Sequence, residues 1–224
     1  AVKGKSLRKV TGELRDTIRT ERGGGIVLNG VLSSRIYLKQ QNQTCCTLLE
    51  NWAEPFSAFR ALIGGKYEKG FLDRAWQWVL KNHPHDSIGG CSIDAVHRQM
   101  ETRFEWAKEI ADNQLQFTFT ELLENVKIDG VGEGEYAFAI FNPSQWKQSG
   151  WIEAELEIPW TISNADPPKP FRGIKIMDLA GNEQESWLVK YEPDKVVNRP
   201  ATRCFATAYT RPTFTVSLWA DDVP

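Results

Sequence analysis

Apolar residues recur at intervals of three and four through the first half of the chain, and this spacing predicts three helices. The first helix is predicted over residues 27–63, with a kink or the start of a second segment at Pro55, because proline lacks the N–H that an interior helical position donates. Gly64 and Gly65 are expected to end it. Its predicted buried face contains eight residues: Leu28, Leu32, Ile36, Leu48, Trp52, Phe56, Phe59 and Leu62.

Two further helical patterns follow. The second helix is predicted over residues 70–80, and the third begins after Ser92, a favourable N-cap residue, and extends to about Leu123. Short connections between the three helices predict an up-down-up bundle. His97 is predicted to be a surface or partly buried histidine of the third helix. The residues expected to face inward are Phe71, Leu72, Ala75, Trp76 and Val79 in the second helix, and Val96, Met100, Phe104, Ala107, Ala111 and Leu115 in the third.

After Asn125 the period changes to two, which predicts strands. The clearest strand covers residues 151–158, where four apolar residues alternate with three glutamates. Turns are expected between the strands, one of them at Glu192-Pro193. The remaining predicted strands cover 136–141, 171–177, 187–191, 203–209 and 213–219. The fold class is therefore α+β and multidomain: a loop segment over 1–26, a three-helix bundle over 27–125 and an antiparallel, sandwich-like β domain over 126–224.

Composition narrows the function classes. The 224 residues include 27 basic and 29 acidic side chains, for a net charge of −2, which gives no basic footprint for nucleic acid and no polybasic patch for a membrane. The four cysteines form no CxxC pair and are interpreted as reduced thiols of a cytoplasmic protein. No apolar run reaches membrane-spanning length.

The residues with the clearest candidate chemistry lie at 82–92. This segment separates the second helix from the third and contains two of the three histidines. Pro84 ends the preceding helix, so the chain is expected to form a loop. His85 and Asp86 are adjacent there, a pair that suits a metal ligand and an acceptor for hydroxyl groups. The alternative is a helix-capping carboxylate beside a surface histidine.

Three short stretches resemble glycoside hydrolase family 38, the zinc-dependent α-mannosidases, and most closely its bacterial members. The run from Pro84 to Gly90 is similar to the family's His-Asp-(Ala/Ser)-Ile-x-Gly signature. Gly30-Val-Leu-Ser-Ser-Arg35 resembles a Gly-x-x-(Ser/Thr)-Ser-Arg stretch, and Asn51-Trp-Ala-Glu-Pro55 is also similar. The likeness extends, with varying strength, from about Gly12 to the end of the chain.

The resemblance implies a role for particular residues. His85 matches a zinc ligand, and Asp86 matches a carboxylate that accepts hydrogen bonds from mannose hydroxyls. Arg35 is expected near the catalytic cleft, with a salt bridge to an acidic neighbouring domain as the alternative. The family's acid/base carboxylate is expected near the start of the chain, where the available acidic residues are Glu13, Asp16 and Glu21. The sequence does not decide between these three, and each also fits a solvated loop.

The departures from the family matter as much as the matches. Its members are retaining enzymes with an aspartate nucleophile in an N-terminal α/β domain, which also carries a His-x-Asp zinc motif. No His-x-Asp triplet occurs in this sequence. We therefore expect the chain to be the middle helical domain and first β domain of a larger enzyme, truncated at its C-terminus, lacking that catalytic domain and inactive alone. The substrate would be a mannose-containing glycan or mannoside, and self-association of relatives makes a homo-oligomer one expected state.

Two other interpretations come from different function classes. A helical bundle joined to a tryptophan-rich β domain could be a non-catalytic carbohydrate-binding or protein-docking module, in which His85 is only structural. An independent hydrolase that uses Cys91 and His85 is a weaker hypothesis, because the sequence contains no nucleophile elbow.

Overall fold

The chain forms two compact units, Ala1–Val126 and Lys127–Pro224, in the computed structural model. The structure describes residues 29–129, 131–132, 135–157, 174–178, 180–199 and 207–224, together with residues 4, 6, 9 and 11. The helices of the first unit and the antiparallel strands of the second confirm the α+β prediction. Among the helices described, none combines the length and the apolarity that a membrane crossing requires.

The first helical stretch is continuous but not uniform. A 3-10 turn at Asn29–Leu32 precedes helix α1, Ile36–Thr47, which passes into a π-helical segment, Leu48–Ala53, and then into α2, Glu54–Leu62. Pro55 lies at the start of α2. Because proline cannot donate a hydrogen bond, the bonding pattern widens just before it, and the N–H of Glu54 bonds the carbonyl of Leu49. The irregularity predicted at Pro55 is present as this π segment.

Two further long helices complete the first unit: α3, Lys69–Leu80, and α5, Asp94–Glu124. A short helix α4, His85–Gly89, lies between them. The contacts between the α1–α2 stretch and α5 occur in the same order along both, from Arg35–Asp94 at their starts to Arg60–Glu121 near their ends. The α1–α2 stretch therefore runs parallel to α5. Helix α3 connects the end of α2 to the start of α4 and α5, as an up-down-up bundle requires.

The buried face of the first stretch differs from the predicted one. Leu32, Ile36, Phe59 and Leu62 were expected to be buried but are each at least half exposed. The first stretch buries Leu38, Cys45, Leu49, Ala53 and Phe56. For Phe59 and Leu62 the π segment is the physical reason, because an extra residue per turn rotates the inward face of the helix that follows it. Small residues on this face also let α1 approach α5, where the Cys45 thiol donates to the carbonyl of Phe104.

The inward faces of α3 and α5 are largely as predicted. Leu72, Ala75 and Val79 are buried in α3, whereas Phe71 is 54% exposed, contrary to expectation. Met100, Phe104, Ala107, Ala111 and Leu115 are buried in α5. His97 corrects another expectation: it is 2% exposed, and neither ring nitrogen has a hydrogen-bond partner among the described residues.

The second unit contains a three-stranded antiparallel sheet in the order β1-β3-β2. Strand β1 is Gln148–Glu157, β2 is Ser186–Arg199 and β3 is Thr207–Val223. The turn expected at Glu192-Pro193 lies inside β2, where the register shifts between Glu192 and Lys195. The strand expected at 136–141 is not formed, and residues 158–173 and 200–206 lie outside the described part of the chain.

One face of this sheet is apolar, as the alternation in β1 predicted. Phe214, Val216 and Leu218 of β3 form the core with Ile176. The predicted inward residues of β1, Ile152, Ala154 and Leu156, pack against it. The opposite face carries Trp151, Trp187 and Trp219. The Trp151 ring contacts the rings of Trp187 and Trp219, at centroid distances of 4.5 and 5.5 Å. The described residues form this single sheet, so the sandwich stays a prediction.

Candidate functional site

The segment that carries His85 and Asp86 is a turn of helix rather than a loop. Pro84 precedes α4 in an extended conformation, and its carbonyl accepts from the N–H groups of Ser87 and Ile88. Gly90 ends α4 with φ of 85°, a left-handed conformation that favours glycine. Helix α5 then begins at Asp94 behind Ile93, so the expected N-cap role of Ser92 was wrong.

Arg35 contacts both ends of the connection between α4 and α5. Its Nε donates to the carbonyl of Gly90 at 3.3 Å, and its Nη2 donates to Asp94 Oδ1 at 2.7 Å. The Ser34 hydroxyl donates to the same Gly90 carbonyl at 3.4 Å. Arg35 therefore forms a salt bridge, but its partner belongs to the same helical unit and not to a neighbouring domain.

His85 and Asp86 are presented side by side at the surface. The His85 Nε2 lies 3.4 Å from Asp86 Oδ1, and the two side chains are 88% and 63% exposed. The Asp86 carboxylate also accepts from the Cys91 thiol at 3.2 Å, while its backbone carbonyl accepts from the N–H groups of Cys91 and Ser92. Asp86 is thus bonded to the residues that follow Gly90, with its carboxylate still open to solvent.

The electrostatics of this region follow from those contacts. The pKa of the Arg35 guanidinium is raised by a side-chain hydrogen bond with Tyr37 and by Asp94. The pKa of Lys39, which donates to the Ser34 carbonyl, is lowered by burial and by the neighbouring charge of Arg35. The hydrogen bond to Asp86 raises the pKa of the Cys91 thiol, and burial and the Asp86 charge act in the same direction. A thiol held in its protonated form is a poor nucleophile, which argues against the hydrolase hypothesis based on Cys91.

The donor set decides whether these residues fit a zinc ion. Catalytic zinc sites use three protein ligands and an open position. Within the ranges that the structure describes, no group of three or more histidine, cysteine, aspartate or glutamate side chains is placed to hold a metal. The exposed imidazole of His85 fits one ligand position. The described residues therefore fit part of a zinc site and not a whole one.

The structure brings Arg35, His85 and Asp86 into one region, as the motifs suggested. The three acid/base candidates, Glu13, Asp16 and Glu21, lie outside the described residues. Sequence reasoning missed Asp94 as the partner of Arg35, and it missed the Gly90 carbonyl. Asp94 could have been found from the opposite charges at the beginnings of two parallel helices. The Gly90 carbonyl could not, because a backbone carbonyl leaves no trace in the residue types.

The helical unit is similar to a domain of known proteins. Residues 27–122 match the family model of the alpha mannosidase middle domain. A curated relative from Halalkalibacterium halodurans, whose name gives mannosylglycerate hydrolase as its inferred activity, is 49% identical over 102 residues. That alignment covers 45% of this chain and 11% of the relative.

Two solved structures from Enterococcus faecalis resemble most of the chain. An alpha-mannosidase of strain V583 has a TM-score of 0.73 and 29% identity over 88% of this chain and 23% of its own. A protein of glycosyl hydrolase family 38 has a TM-score of 0.74 and 31% identity over 87% of this chain and 24% of its own. This chain therefore spans about a quarter of the length of these solved relatives and a smaller share of the curated one.

The match to the alpha mannosidase middle domain falls on the helical unit and includes the His85–Asp86 segment and Arg35. The wider chain is similar to family 38 α-mannosidases across both units. The resemblance predicted from three short stretches is confirmed.

Proposed function

We propose that this chain is part of a retaining α-mannosidase of family 38, which hydrolyses terminal α-linked mannose from glycans or mannosides. Its helical unit would present His85 and Asp86 to an active site completed by an N-terminal catalytic domain. The aspartate nucleophile would come from that domain, and the acid/base carboxylate would come from outside the described residues. The chain by itself would then be inactive. A cytoplasmic location belongs to the same proposal.

His85 would supply one ligand to a zinc ion, and the remaining ligands would come from the catalytic domain. The bound ion would supply Lewis-acid polarisation and orientation of sugar hydroxyls. Asp86 would accept hydrogen bonds from mannose hydroxyls, since a charged carboxylate is a strong acceptor. Arg35 would lie at the edge of the same sugar site. Solvent-exposed placement of both His85 and Asp86 is what such a shared site requires.

One observation carries the proposal. The His85–Asp86 segment lies within residues 27–122, which match the alpha mannosidase middle domain, and both functional side chains face solvent rather than the bundle core. A carboxylate that served only to cap a helix would be expected to accept hydrogen bonds from the free N–H groups at the start of that helix. No side-chain cap hydrogen bond is formed at the start of α4.

The substrate can be narrowed for the first assays. The curated relative has mannosylglycerate hydrolase as its inferred activity and is 49% identical over 102 residues. We propose mannosylglycerate as the first natural substrate to assay, with an aryl α-mannoside beside it as a general probe.

Calorimetric zinc titration of the 224-residue chain, repeated with His85→Ala, tests the proposal. One histidine ligand should bind zinc weakly, and that weak binding should disappear in the variant. His83→Ala is the matched control, because the His83 ring already contacts Asn42 at 2.7 Å. Both mannosides should remain intact with the chain alone.

Two results would count against the incomplete-site proposal. The first is tight single-site zinc binding by the chain, and the second is chelator-sensitive mannosidase activity in the chain alone. Glycan binding that persists in His85→Ala without zinc would instead favour the carbohydrate-binding module.

A further inference from the structure

The segment from Pro84 to Ile93 is attached to the bundle by little apolar surface. His85, Asp86, Cys91 and Ile93 are exposed, and Gly89 is the one residue of the segment that is buried. A helix of five residues has almost no stability of its own. Polar contacts must therefore fix where this segment lies.

Those contacts come from the Ser34–Arg35 corner before α1. A single guanidinium binds the Gly90 carbonyl through Nε and the Asp94 carboxylate through Nη2. The first partner ends α4 and the second begins α5, so Arg35 fixes both ends of residues 90–94. Ser34 packs tightly on the same point, since a Cβ added at Gly90 would lie 2.6 Å from the Ser34 hydroxyl oxygen.

Arg35 holds this position at a conformational cost. Its φ is 48° and its ψ is 53°, the left-handed region that a non-glycine residue rarely occupies. A strained backbone persists where the surroundings hold it, and such residues concentrate at functional sites. Here the hydrogen bonds of the side chain to Gly90 and Asp94 supply that support.

A path of bonds leads from Gly90 to the exposed pair. The N–H groups of Cys91 and Ser92 donate to the Asp86 carbonyl, and the Cys91 thiol donates to the Asp86 carboxylate. Displacement of Gly90 would therefore move Cys91 and, through it, the carboxylate beside His85. The side-chain geometry of Asp86 depends on the Arg35 contacts without touching them.

We propose that Arg35 and Asp94 are positioning residues: they clamp the α4–α5 connection so that His85 and Asp86 are held in one orientation. The clamp itself stands on the contacts above, while its significance for sugar and metal binding rests on the proposed function. It adds to any contact that Arg35 makes with substrate.

Amide hydrogen exchange in the 224-residue chain tests the clamp, with the N–H groups of Cys91 and Ser92 as reporters. Arg35→Lys keeps a cation for Asp94 but cannot bond Gly90 with the same planar group. Asp94→Asn removes the charge of the partner. Each variant should accelerate exchange at both reporters about tenfold, because a hydrogen bond to a charged group is lost. Exchange in the middle of α5, at Phe104 and Ala107, should stay unchanged.

Lys108→Gln is the matched control, because it breaks a different exposed ion pair on α5, between Lys108 and Asp112. Its exchange at Cys91 and Ser92 should equal that of the original chain. Unchanged reporters in both Arg35→Lys and Asp94→Asn would overturn the clamp. Equal acceleration throughout α5 would also overturn it, since that pattern indicates a general role in bundle stability.

Zinc titration of the same variants separates the clamp from the proposed function. Weaker zinc binding in Arg35→Lys, together with faster exchange, supports both. Faster exchange with no His85-dependent zinc binding in the original chain supports the clamp and contradicts the metal role of His85.

Discussion

Two arginine–carboxylate pairs lie at opposite ends of α5, and they differ in burial and geometry. Arg60 is 8% exposed and binds Glu121 through both Nε and Nη2. Arg35 binds Asp94 through Nη2 alone, and the two side chains are 32% and 72% exposed. The α5 helix has 31 residues, so about 45 Å separates its ends.

The difference shows how similar ion pairs can serve different purposes. A bidentate pair with a buried guanidinium fixes the end of α2 against α5 and contributes to bundle stability. An exposed pair contributes little to global stability. The Arg35 pair instead includes a backbone carbonyl of the segment that carries His85 and Asp86, so its effect is local.

The largest effect should follow from breaking the buried pair. Arg60→Met should lower the Tm of the helical unit by roughly 5–10 °C, since a bidentate contact is lost and Glu121 keeps an unpaired charge. Arg35→Met is the matched substitution at the other end and should lower Tm by at most about 3 °C. Far-UV circular dichroism during heating measures both. Equal losses would contradict the contrast between the two ends.

A smaller effect separates backbone strain from steric contact. Gly64 and Gly90 both have positive φ, at 97° and 85°, but only Gly90 would bring a Cβ against Ser34. Gly64→Ala should cost about 1 kcal/mol from strain alone, and Gly90→Ala about 1 kcal/mol more. Urea unfolding of the two variants measures this difference. Equal costs would mean that Ser34 yields freely and does not pack against Gly90.

The smallest effect is the dependence of the Arg60 pair on pH. The hydrogen bond from Arg60 lowers the pKa of Glu121 below its ordinary value of 4.5. The stabilising contribution of a carboxyl with a lowered pKa is complete above the ordinary value and is lost as pH falls through the lowered one. The Tm difference between the original chain and Glu121→Gln should therefore persist at pH 7 and shrink as pH falls below 4.5. A difference that stays constant down to pH 3 would contradict this pairing.

Much of the fold could be predicted from residue patterns. The α3 and α5 faces and the alternation of β1 follow from local periodicity, because most of the apolar residues predicted to face inward are buried at the spacing of their own element. The first helix was predicted less well, since the π segment before Pro55 rotated the inward face and exposed Phe59 and Leu62. The turn expected at Pro193 became part of a long strand, as proline can occupy a register shift.

The candidate site, like the fold, was predicted in part from the sequence. Short motifs identified His85, Asp86 and Arg35, because their residue types and order are visible in the sequence. The three carboxylates proposed for acid/base catalysis were named from their position alone and lie outside the described residues. His97 was expected at or near the surface and is buried, since the packing of neighbouring helices, not the residue type, decides exposure.

The sequence by itself determined the α+β class and the adjacency of a histidine and an aspartate beside Pro84, because these depend on local propensity and residue order. The tertiary structure decided that Arg35 meets Gly90 and Asp94, residues 55 and 59 positions away. It also decided that α4 is helical and exposed. Such contacts depend on the parallel alignment of α1 with α5, which arises only when the whole bundle packs.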